Sequence, residues 1–490
     1  MNRRQNAEGE RLTIFWNGRP IEARKGESAA TALHRAGIRG IGCSRKRHRP
    51  LGSGLVLGLQ AQLDGVPNIR LDRLAVRAGL ALRSQNVWPS PGFDLLRLAR
   101  LIPGRWLRGG FEHPRALPSG SRRFEIWEGI LRFLAGGGDA ISPARPGALQ
   151  PGEKIPVDLA VVGGGLAGRR AAIAAAEEGR SVLLISRDRQ PGRFASAMGE
   201  ALSSLPASIR LLAGWEAVAL YRGGRLLVAA PHDGGPAAVI EAAEIVLATG
   251  RRSLPPLVPG ADLPGVMDLP MAVGLLQDKA IPPGQRAFLV GTSALDAIAA
   301  RLRGLGMALA GTADAGKVVR ILGWDSVRGI ELSDGKRIVC ESVIHAGPWR
   351  PDLSLPFQAG SAGELRLAPG ELPAHIRLAG SAALPPEPIA CAKLDDRAFI
   401  CPCMDVAVAE IRDLVDNGET HVEVLKRLTG CGMGPCQGMP CWDNLGAALE
   451  HLTGRAAASF GHPSYRAPRG GLTLAQAGGL ADLVGPEPQP

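Results

Sequence analysis

The chain has 490 residues, a formal net charge of +11, and a composition that is 45% apolar and 21% charged. These values exclude a disordered or fibrous protein, and the length predicts three or four domains. Aromatic residues make up only 4% while glycines number 65, which favours α/β packing over an aromatic-filled all-β core. No apolar run reaches the ~18 residues of a membrane-spanning helix, and the first residues lack the apolar segment of a secretory signal. We therefore expect no membrane span and a cytoplasmic location.

The first predicted elements form a small β-grasp domain within residues 1–100. Strands are predicted at Arg11–Trp16 and Pro20–Arg24, joined by an Asn17-Gly18 hairpin turn. Ser28 then caps a helix over Ala29–Ala36. Plant-type ferredoxin domains begin in the same way and continue into a loop with three cysteines.

The corresponding loop of this chain holds a single cysteine, Cys43, followed by the basic run Arg45–Arg49. One thiol cannot hold a two-iron cluster, so we predict a β-grasp domain without a cluster. No aromatic or glycine-rich recognition motif accompanies the basic run, so nucleic-acid binding is not expected. A solvated face or a subunit contact is the favoured interpretation.

Three segments near this loop carry a family resemblance. They are Ser44–Pro50, Ser84–Ser90 and Phe93–Leu95. In these segments the chain resembles the start of the α subunit of heterotetrameric sarcosine oxidase, whose β-grasp domain also lacks cluster cysteines. Residues 101–156 are then predicted to be a connecting segment that ends in the Pro- and Gly-rich linker Pro143–Lys154.

A dinucleotide-binding unit is predicted next. The apolar strand Asp158–Val162 leads into a G-x-G-x-x-G motif formed by Gly163, Gly165 and Gly168, then a helix and a second strand, Ser181–Ile185. The first glycine permits a tight turn, the second lets the backbone approach a pyrophosphate, and the third lets helix pack on strand. The N-terminus of the helix then faces the phosphates.

The end of the second strand departs from the pattern for FAD or NAD. An acidic residue would normally bind the ribose hydroxyls there, whereas this chain has Ser186 and Arg187. Arg187 could pair with a phosphate, which leaves NADP or another adenine nucleotide open beside FAD. Asp188 could take the place of the acid, although it lies two residues late.

Later segments complete a two-dinucleotide flavoprotein fold over residues 157–395. An A-T-G segment that ends in Thr249 and Gly250 resembles the one that lies beside the first nucleotide in such flavoproteins. The final flavin-contacting motif, usually A-G-D, contains Gly380 but has Ser381 in place of the acid. The sequence therefore predicts an intact scaffold whose ligand-binding residues are partly replaced.

A second nucleotide unit is predicted at about residues 270–350, inserted in this fold. Its strand and helix patterns are present, but of the three expected glycines only Gly291 remains, beside Ser293 and Asp296. Pyrophosphate binding at this motif is therefore doubtful. An independent NAD(P)H:ferredoxin-type reductase is disfavoured for the same reason.

Five of the eight cysteines lie within 41 positions near the C-terminus: Cys401, Cys403, Cys431, Cys436 and Cys441. Packing alone would scatter thiols, and in a reducing compartment such a group favours metal ligation over disulfides. The donor set indicates zinc or an iron–sulfur centre. Two further cysteines, Cys340 and Cys391, are interpreted as small core residues.

Helices are predicted on either side of the cysteines. Asp405 is predicted to cap the first helix, a second helix runs over Val422–Leu428 and stops at Gly430, and a third follows Pro440. The cysteines then occupy two loops at helix N-termini, where backbone amides favour a thiolate-rich anion.

The C-x-C…C-x4-C arrangement resembles the [2Fe–2S] domain of bacterioferritin-associated ferredoxin. It is more similar still to the version in α subunits of opine oxidases and hydrogen cyanide synthase. This resemblance implies an iron–sulfur domain over residues 396–460, a tail over 461–490, and the ligands Cys401, Cys403, Cys436 and Cys441. Cys431 is then an extra thiol. A structural zinc site remains the alternative, since Zn²⁺ accepts the same donors.

The family resemblance implies an electron-transferring α subunit of an oxidoreductase that acts on CH–NH groups of sarcosine-, opine- or proline-like substrates. A flavoprotein β subunit would oxidise the substrate with FAD, and a further flavin, FMN in sarcosine oxidase, would lie at the subunit interface. Electrons would continue through the [2Fe–2S] cluster, and further small subunits could take part. Because the chain lacks the aminomethyltransferase half of sarcosine oxidase α subunits, folate-linked chemistry is not expected.

The residues themselves nominate no catalytic group. The histidines His345, His375, His421, His48 and His113 are isolated and interpreted as surface or core residues. Substrate oxidation is therefore expected in a partner subunit. The alternative function, of a different kind, is that of a non-redox assembly subunit. Such a subunit would have a structural metal and a nucleotide site that holds ATP or nothing.

Overall fold

The computed structural model describes residues 10–90, 93–101, 121–134, 151–221, 225–232, 234–360, 371–389, 391 and 393–484. Two compact units interleave along the chain. The first unit comprises Met1–Ser142, Ser253–Pro348 and Pro388–Gly461, and the second comprises Pro143–Arg252, Trp349–Glu387 and His462–Pro490. Predicted features at His113 and at 143–150 of the linker lie outside the described residues, and the domain boundaries stay predictions.

In the described residues of its N-terminal part, the first unit contains nine strands and two α-helices. They are β1 Arg11–Trp16, β2 Arg19–Arg24, α1 Ala29–Arg35, β3 Gly40–Cys43, β4 Pro50–Gly52, β5 Gln60–Leu63, β6 Val66–Arg70, β7 Ala81–Arg83, β8 Pro89–Ser90, β9 Phe93–Asp94 and α2 Arg122–Leu134. Short 3₁₀ helices cover Leu57–Leu59 and Leu95–Leu101.

The middle of the chain contributes strands to both units. In chain order the elements are β10 Glu153–Val162, α3 Leu166–Glu177, β11 Val182–Ser186, α4 Arg193–Ala197, β12 Ile209–Ala213, β13 Trp215–Tyr221, β14 Leu226–Pro231, β15 Ala238–Leu247, β16 Arg251–Ser253, β17 Val266–Asp268, α5 Leu269–Lys279, β18 Ala287–Gly291, α6 Leu295–Gly304, β19 Leu309–Asp314, β20 Val318–Gly323, β21 Val327–Leu332, β22 Arg337–Val339 and β23 Ser342–Ala346.

The remaining elements are mostly helical. They are β24 Trp349–Pro351, α7 Ser354–Gly360, β25 Ile376–Leu378, β26 Phe399–Cys401, β27 Val406–Ala407, α8 Val408–Asp416, α9 Val422–Thr429, α10 Cys441–Thr453, α11 Leu474–Gly479 and α12 Ala481–Val484. Within the described residues, no helix is both long enough and apolar enough to cross a bilayer.

The N-terminal sheet has five strands in the order β2-β1-β7-β5-β6 and packs against α1, as predicted for a β-grasp fold. Its first hairpin turns where predicted, because Asn17 and Gly18 both adopt positive φ, +49° and +79°, as a type I′ turn requires. The Ser28 hydroxyl accepts from the Thr31 amide at 3.3 Å and caps α1. Local chemistry therefore sets this part of the fold.

The main sheet of the second unit has seven strands. Parallel strands β12, β11, β10, β15 and β25 lie side by side, and β14 and β13 continue from β15 as an antiparallel ribbon. Leu159 and Val161 of β10 pack with Ala172 of α3 on one face, while Ala160 and Val162 face the opposite core. Both faces are thus buried, as in a doubly wound fold.

Two larger sheets of the described residues also lie in the first unit, beside three two-stranded ones. Parallel strands in the order β17-β23-β18-β19 form the predicted second nucleotide unit, and β20, β21 and β22 form an antiparallel sheet. The cysteine-bearing region follows, where β26 of the hairpin β26–β27 and helix α8 pack against α10, and α9 packs against α8.

A buried ion-pair group in the second unit predicts a pH-dependent stability. Burial raises the pKa of Asp352, but the guanidinium groups of Arg469 and Arg252 and hydrogen bonds from Ser354 outweigh it, so this pKa lies well below its usual range. A carboxyl group with a depressed folded-state pKa stabilises above its unfolded pKa of about 4 and loses that stabilisation as the pH falls. The ion pairs therefore stabilise the fold at neutral pH.

Asp352→Asn should lower the free energy of unfolding by about 1–3 kcal/mol at neutral pH, since it removes the carboxylate that pairs with Arg469 and with the partly exposed Arg252. The difference from wild type should shrink as the pH falls below about 4, because the unfolded wild-type chain then takes up a proton on this carboxyl while the native one stays ionised. Urea unfolding at both pH values measures this. The exposed Glu244, which pairs with Arg180, is the control, because Glu244→Gln should change stability by less than about 1 kcal/mol. Equal penalties for Asp352→Asn at both pH values would contradict the argument.

Candidate metal centre and nucleotide site

All five cysteines of the C-terminal stretch are buried and come together in the first unit. The Sγ atoms of Cys436 and Cys441 are 3.5 Å apart. The Cys401 side chain lies within hydrogen-bonding range of Cys431, Cys436 and Cys441, and Cys403 lies beside Cys436. The structure therefore brings together the four predicted ligands and adds Cys431 to the same group. Which four of them ligate stays a prediction.

Local structure explains why the cysteine loops are rich in glycine. Cys401 ends β26, and Cys441 is the first residue of α10. Between them, α9 ends at Gly430, which adopts φ +75° as the predicted stop. A Cβ on Gly432 would lie 1.9 Å from Nε1 of Trp442, and one on Gly438 would lie 2.3 Å from its ring. The loop thus wraps tightly around the Trp442 indole.

The electrostatics of the group suit a thiolate centre. Thiols of Cys431, Cys436 and Cys441 donate to Cys401 and hold its pKa well below the usual value, while the same contacts raise the pKa of the three donors. The Gly432 amide also donates to Cys401 Sγ at 3.4 Å. A sulfur anion at this position is therefore stabilised by the surrounding donors.

Among the described residues, no three or more His, Cys, Asp or Glu side chains are arranged as a metal-ion site. The fit to a metal therefore rests on the donor set, which is five buried thiols in one group. Soft thiolates suit zinc and iron–sulfur clusters and are poor ligands for hard cations. Cys401, Cys403, Cys436 and Cys441 are the residues predicted from the sequence to hold such a group.

Two predictions about this region are wrong. Asp405 does not cap α8, whose N-cap is Ala407. Asp405 is instead fully buried and accepts from the amide of Lys46 at 2.8 Å, the amide of Arg47 at 3.2 Å and Nε of Arg49 at 2.8 Å. The basic run is therefore not a solvated face, because most of it is buried against the cysteine-bearing region of the same chain. These partners are more than 350 positions apart, so local patterns could not reveal them.

The three glycines of the second unit's β10–α3 loop have the roles that the motif requires. Gly163 adopts φ +117°, and a Cβ there would lie 2.1 Å from the carbonyl of Ala248. A Cβ on Gly168 would lie 1.9 Å from the Gly163 carbonyl, so only glycine lets α3 approach β10. A Cβ on Gly165 would meet nothing within 4 Å, which leaves this backbone open to a ligand.

Thr249, Gly250 and Gly380 lie at the same edge of the sheet, because β10, β15 and β25 are adjacent and parallel. The Thr249 hydroxyl is buried and has no hydrogen-bond partner among the described residues, as expected where a ligand would supply one. Gly380 adopts φ +64°, and a Cβ there would lie 2.4 Å from that of Ala167. These features fit a dinucleotide.

Ser186 and Arg187, at the end of β11, differ in how accessible they are to a nucleotide bound at this edge of the main sheet. Ser186 is buried, donates to the carbonyl of Asp188 at 2.9 Å, and packs against Gly164, so it is turned away from a ribose. Arg187 is exposed. Burial lowers the pKa of the nearby Arg252, the carboxylates of Asp352 and Glu216 raise it, and the charges of Arg469 and Arg187 lower it, so Arg187 lies near a mixed group of charges. A phosphate would suit Arg187 better than a neutral ribose.

The predicted second nucleotide unit has the expected strands but an altered loop. α6 begins after Ala294, which adopts φ +51° and offers no side-chain cap. His345 is buried at the end of β23 with its Nδ1 2.7 Å from the Ser253 hydroxyl, and burial lowers its pKa to about 4. His345 is thus a core histidine, as interpreted from the sequence.

Gly432→Ala should disrupt the cysteine group, because the new Cβ would overlap the Trp442 indole. The expected loss is about 1–3 kcal/mol of stability, with a lower metal content because the Gly432 amide moves away from Cys401. Gly454 has the same φ of +73° but open space around it, so Gly454→Ala controls for backbone strain. Thermal unfolding and metal analysis of both variants check this, and equal behaviour of the two would contradict it.

Comparison with known families covers most of the chain. The family model for a pyridine nucleotide-disulphide oxidoreductase matches residues 157–310. The model for the sarcosine oxidase A3 domain matches residues 395–479, and that for a 2Fe-2S iron-sulfur cluster binding domain matches residues 9–87. The last stretch contains only Cys43, whereas a two-iron cluster takes four ligands. The chain is therefore an α/β protein that joins a ferredoxin-type β-grasp domain to a nucleotide-binding oxidoreductase fold and a cysteine-bearing A3 domain.

Sarcosine oxidase subunit alpha from Rhizobium meliloti (strain 1021) is 26% identical over 561 residues, which cover 93% of this chain and 56% of that one. The chain is a homologue of this subunit and spans little more than half of its length. The crystal structure of L-proline dehydrogenase from P. horikoshii superimposes with a TM-score of 0.70 at 20% identity, covering 97% of this chain and 98% of that one. The family resemblance and the fold predicted from the sequence are thereby confirmed.

Proposed function

We propose that this chain is the electron-transferring α subunit of a multi-subunit oxidoreductase that acts on CH–NH groups. The observation that carries the proposal is the convergence of five buried thiols at the N-terminus of α10. In this proposal Cys401, Cys403, Cys436 and Cys441 would hold a [2Fe–2S] cluster, which would supply one-electron transfer. The protein's part is to bury the cluster, supply amide donors and hold it in place.

The proposed electron donor is a flavin of a partner β subunit that oxidises a sarcosine-, opine- or proline-like amine. The homology to a sarcosine oxidase subunit supports this partner class. The second unit would hold FAD or another adenine nucleotide through Gly163, Gly165 and Gly168, and an FMN would lie at the subunit interface. Further small subunits and a cytoplasmic location belong to the same proposal.

A non-redox assembly subunit is the second candidate. The specific observation in its favour is Ser186, which stands where an acidic residue would bind the ribose. Its side chain is buried and bonds to the Asp188 carbonyl, so it is turned away from a ribose. In that case the nucleotide site would hold ATP or nothing, and the thiols would hold zinc. The two candidates differ in cofactor content.

The deciding experiment is the purification of the chain with its native partners, followed by extraction of flavin and nucleotide and by iron, sulfide and zinc analysis. The proposal expects about two iron atoms and two sulfides per chain, flavin in the complex, and bleaching of the cluster absorption when the amine substrate is added. Zinc without iron would overturn the iron–sulfur proposal and favour the assembly role. Amine oxidation by the isolated chain would overturn the assignment of substrate oxidation to a partner.

A further inference from the structure

The basic loop, defined as Ser44–Pro50, is buried to an unusual degree for its composition. Lys46, His48 and Arg49 have exposed fractions of 6%, 5% and 8%. Lysine and arginine are rarely buried unless a partner compensates the charge. This loop stands where a ferredoxin domain would carry its own cluster cysteines. Its burial therefore needs a physical reason.

The loop holds the first cysteine-bearing segment through Arg49. This guanidinium forms ion pairs with Asp405 and Asp262, donates to the carbonyl of Pro402 at 3.0 Å, and lies 3.5 Å above the Phe399 ring. Pro402 stands between Cys401 and Cys403 in the chain. Arg49 is therefore a positioning residue for both cysteines.

Lys46 reaches the second cysteine-bearing segment. Its Nζ donates to the carbonyl of Thr429 at 3.2 Å, and the Thr429 hydroxyl accepts from the amide of Cys431 at 3.2 Å. The amide of Lys46 donates to Asp405, so one residue contacts both cysteine-bearing segments. The basic loop thus joins the two halves of the thiol group.

The charges of Lys46 and Arg49 are compensated differently. Arg49 forms ion pairs with two carboxylates, those of Asp262 and Asp405. In the described part of the chain, no carboxylate forms an ion pair with the Lys46 ammonium, which donates to the Thr429 carbonyl. A buried ammonium without a counter-ion is costly. An anionic thiolate centre beside the Thr429–Cys431 turn would supply the missing negative charge.

We propose that the basic loop places buried positive charge beside the cysteine centre. In this proposal Lys46 raises the reduction potential of the cluster, and Arg49 fixes the position of the Cys401–Cys403 segment. This inference rests on the proposed iron–sulfur function. A four-thiolate cluster is anionic, and its negative charge grows by one when an electron enters. A nearby positive charge therefore stabilises the reduced form, as cluster potentials depend on net charge and surroundings.

The test is a redox titration of the iron–sulfur signal in the full chain, followed by visible absorption or electron paramagnetic resonance. Lys46→Met should reduce the ratio of reduced to oxidised cluster about tenfold at fixed potential, equivalent to about 59 mV for one electron. Lys46→Arg keeps the charge and should stay near wild type. Arg45→Met is the matched control, since Arg45 belongs to the same loop but is exposed and screened by water.

A second variant keeps the test decisive if Lys46→Met does not retain iron. Asp262→Asn removes one counter-charge of Arg49 and should shift the potential in the opposite direction, upward. An unchanged potential in iron-loaded Lys46→Met would overturn this inference but leave the proposed function standing. A shift in Arg45→Met as large as that in Lys46→Met would do the same. An unshifted or lowered potential in Asp262→Asn would overturn it as well. Absence of iron from the wild-type chain would overturn the inference together with the proposed function.

Discussion

Cys401→Ala is expected to abolish iron binding, taking the content from about two iron atoms per chain to nearly none. Cys401 is fully buried and stands at the centre of the group, within hydrogen-bonding range of three other thiols. Alanine offers no replacement donor, and three thiolates cannot complete the coordination of a two-iron cluster. Iron and sulfide analysis with visible absorption of the purified chain measures the loss.

Cys431→Ala is the discriminating companion variant. The family resemblance makes Cys431 the extra thiol, so this variant should keep its iron, whereas Cys403→Ala should lose it. The reverse outcome, with iron lost from Cys431→Ala and kept in Cys403→Ala, would assign the fourth ligand to Cys431. Cys340 is the control, because it is a buried thiol whose pKa burial raises to about 11, and no other cysteine lies near it in the described contacts. Cys340→Ala should retain iron.

Features that depend on neighbouring residues were predictable from the sequence. The Asn17-Gly18 turn, the Ser28 cap and the end of α9 at Gly430 all occur where local chemistry places them. Gly163 and Gly168 of the β10–α3 loop belong to the same class, since the carbonyls of Ala248 and Gly163 leave no room for a Cβ at these two positions. Short-range sterics leave such sites few alternatives.

The cysteine group was predictable in membership but not in arrangement. Spacing nominated four ligands, and the structure places Cys431 within hydrogen-bonding range of Cys401, as it does Cys436 and Cys441. Spacing describes separation along the chain, while contact depends on how the loop wraps around Trp442. The tryptophan itself carried no sequence signal beyond the glycines that make room for it.

The setting of the cysteine group could not be derived from local patterns. Asp405 has the residue type and position of a helix cap, yet its hydrogen bonds go to Lys46, Arg47 and Arg49. The signal that could have found this contact is the density of basic residues in a loop that has lost its cluster cysteines. A buried carboxylate and a distant basic run then satisfy each other's charge.

The glycine loop of the second unit permits an equally sharp test of nucleotide binding. Gly165→Ala should preserve the fold, because the new Cβ meets nothing within 4 Å and Gly165 has an ordinary φ of −72°. Its expected effect is loss of bound nucleotide, since the methyl group would occupy the path by which a pyrophosphate approaches the backbone. Nucleotide extraction from the native complex and from the variant measures this, with thermal unfolding in parallel.

Gly168→Ala should behave in the opposite way and destabilise the second unit itself. Its Cβ would lie 1.9 Å from the Gly163 carbonyl, so α3 must move away from β10 at a cost of about 1–3 kcal/mol or more. The two variants therefore separate a ligand contact from a packing contact within one loop. Full nucleotide content in Gly165→Ala would place the nucleotide elsewhere. A native complex that yields no nucleotide would instead favour the assembly role, in which Gly163 and Gly168 serve only the packing of the loop and of α3.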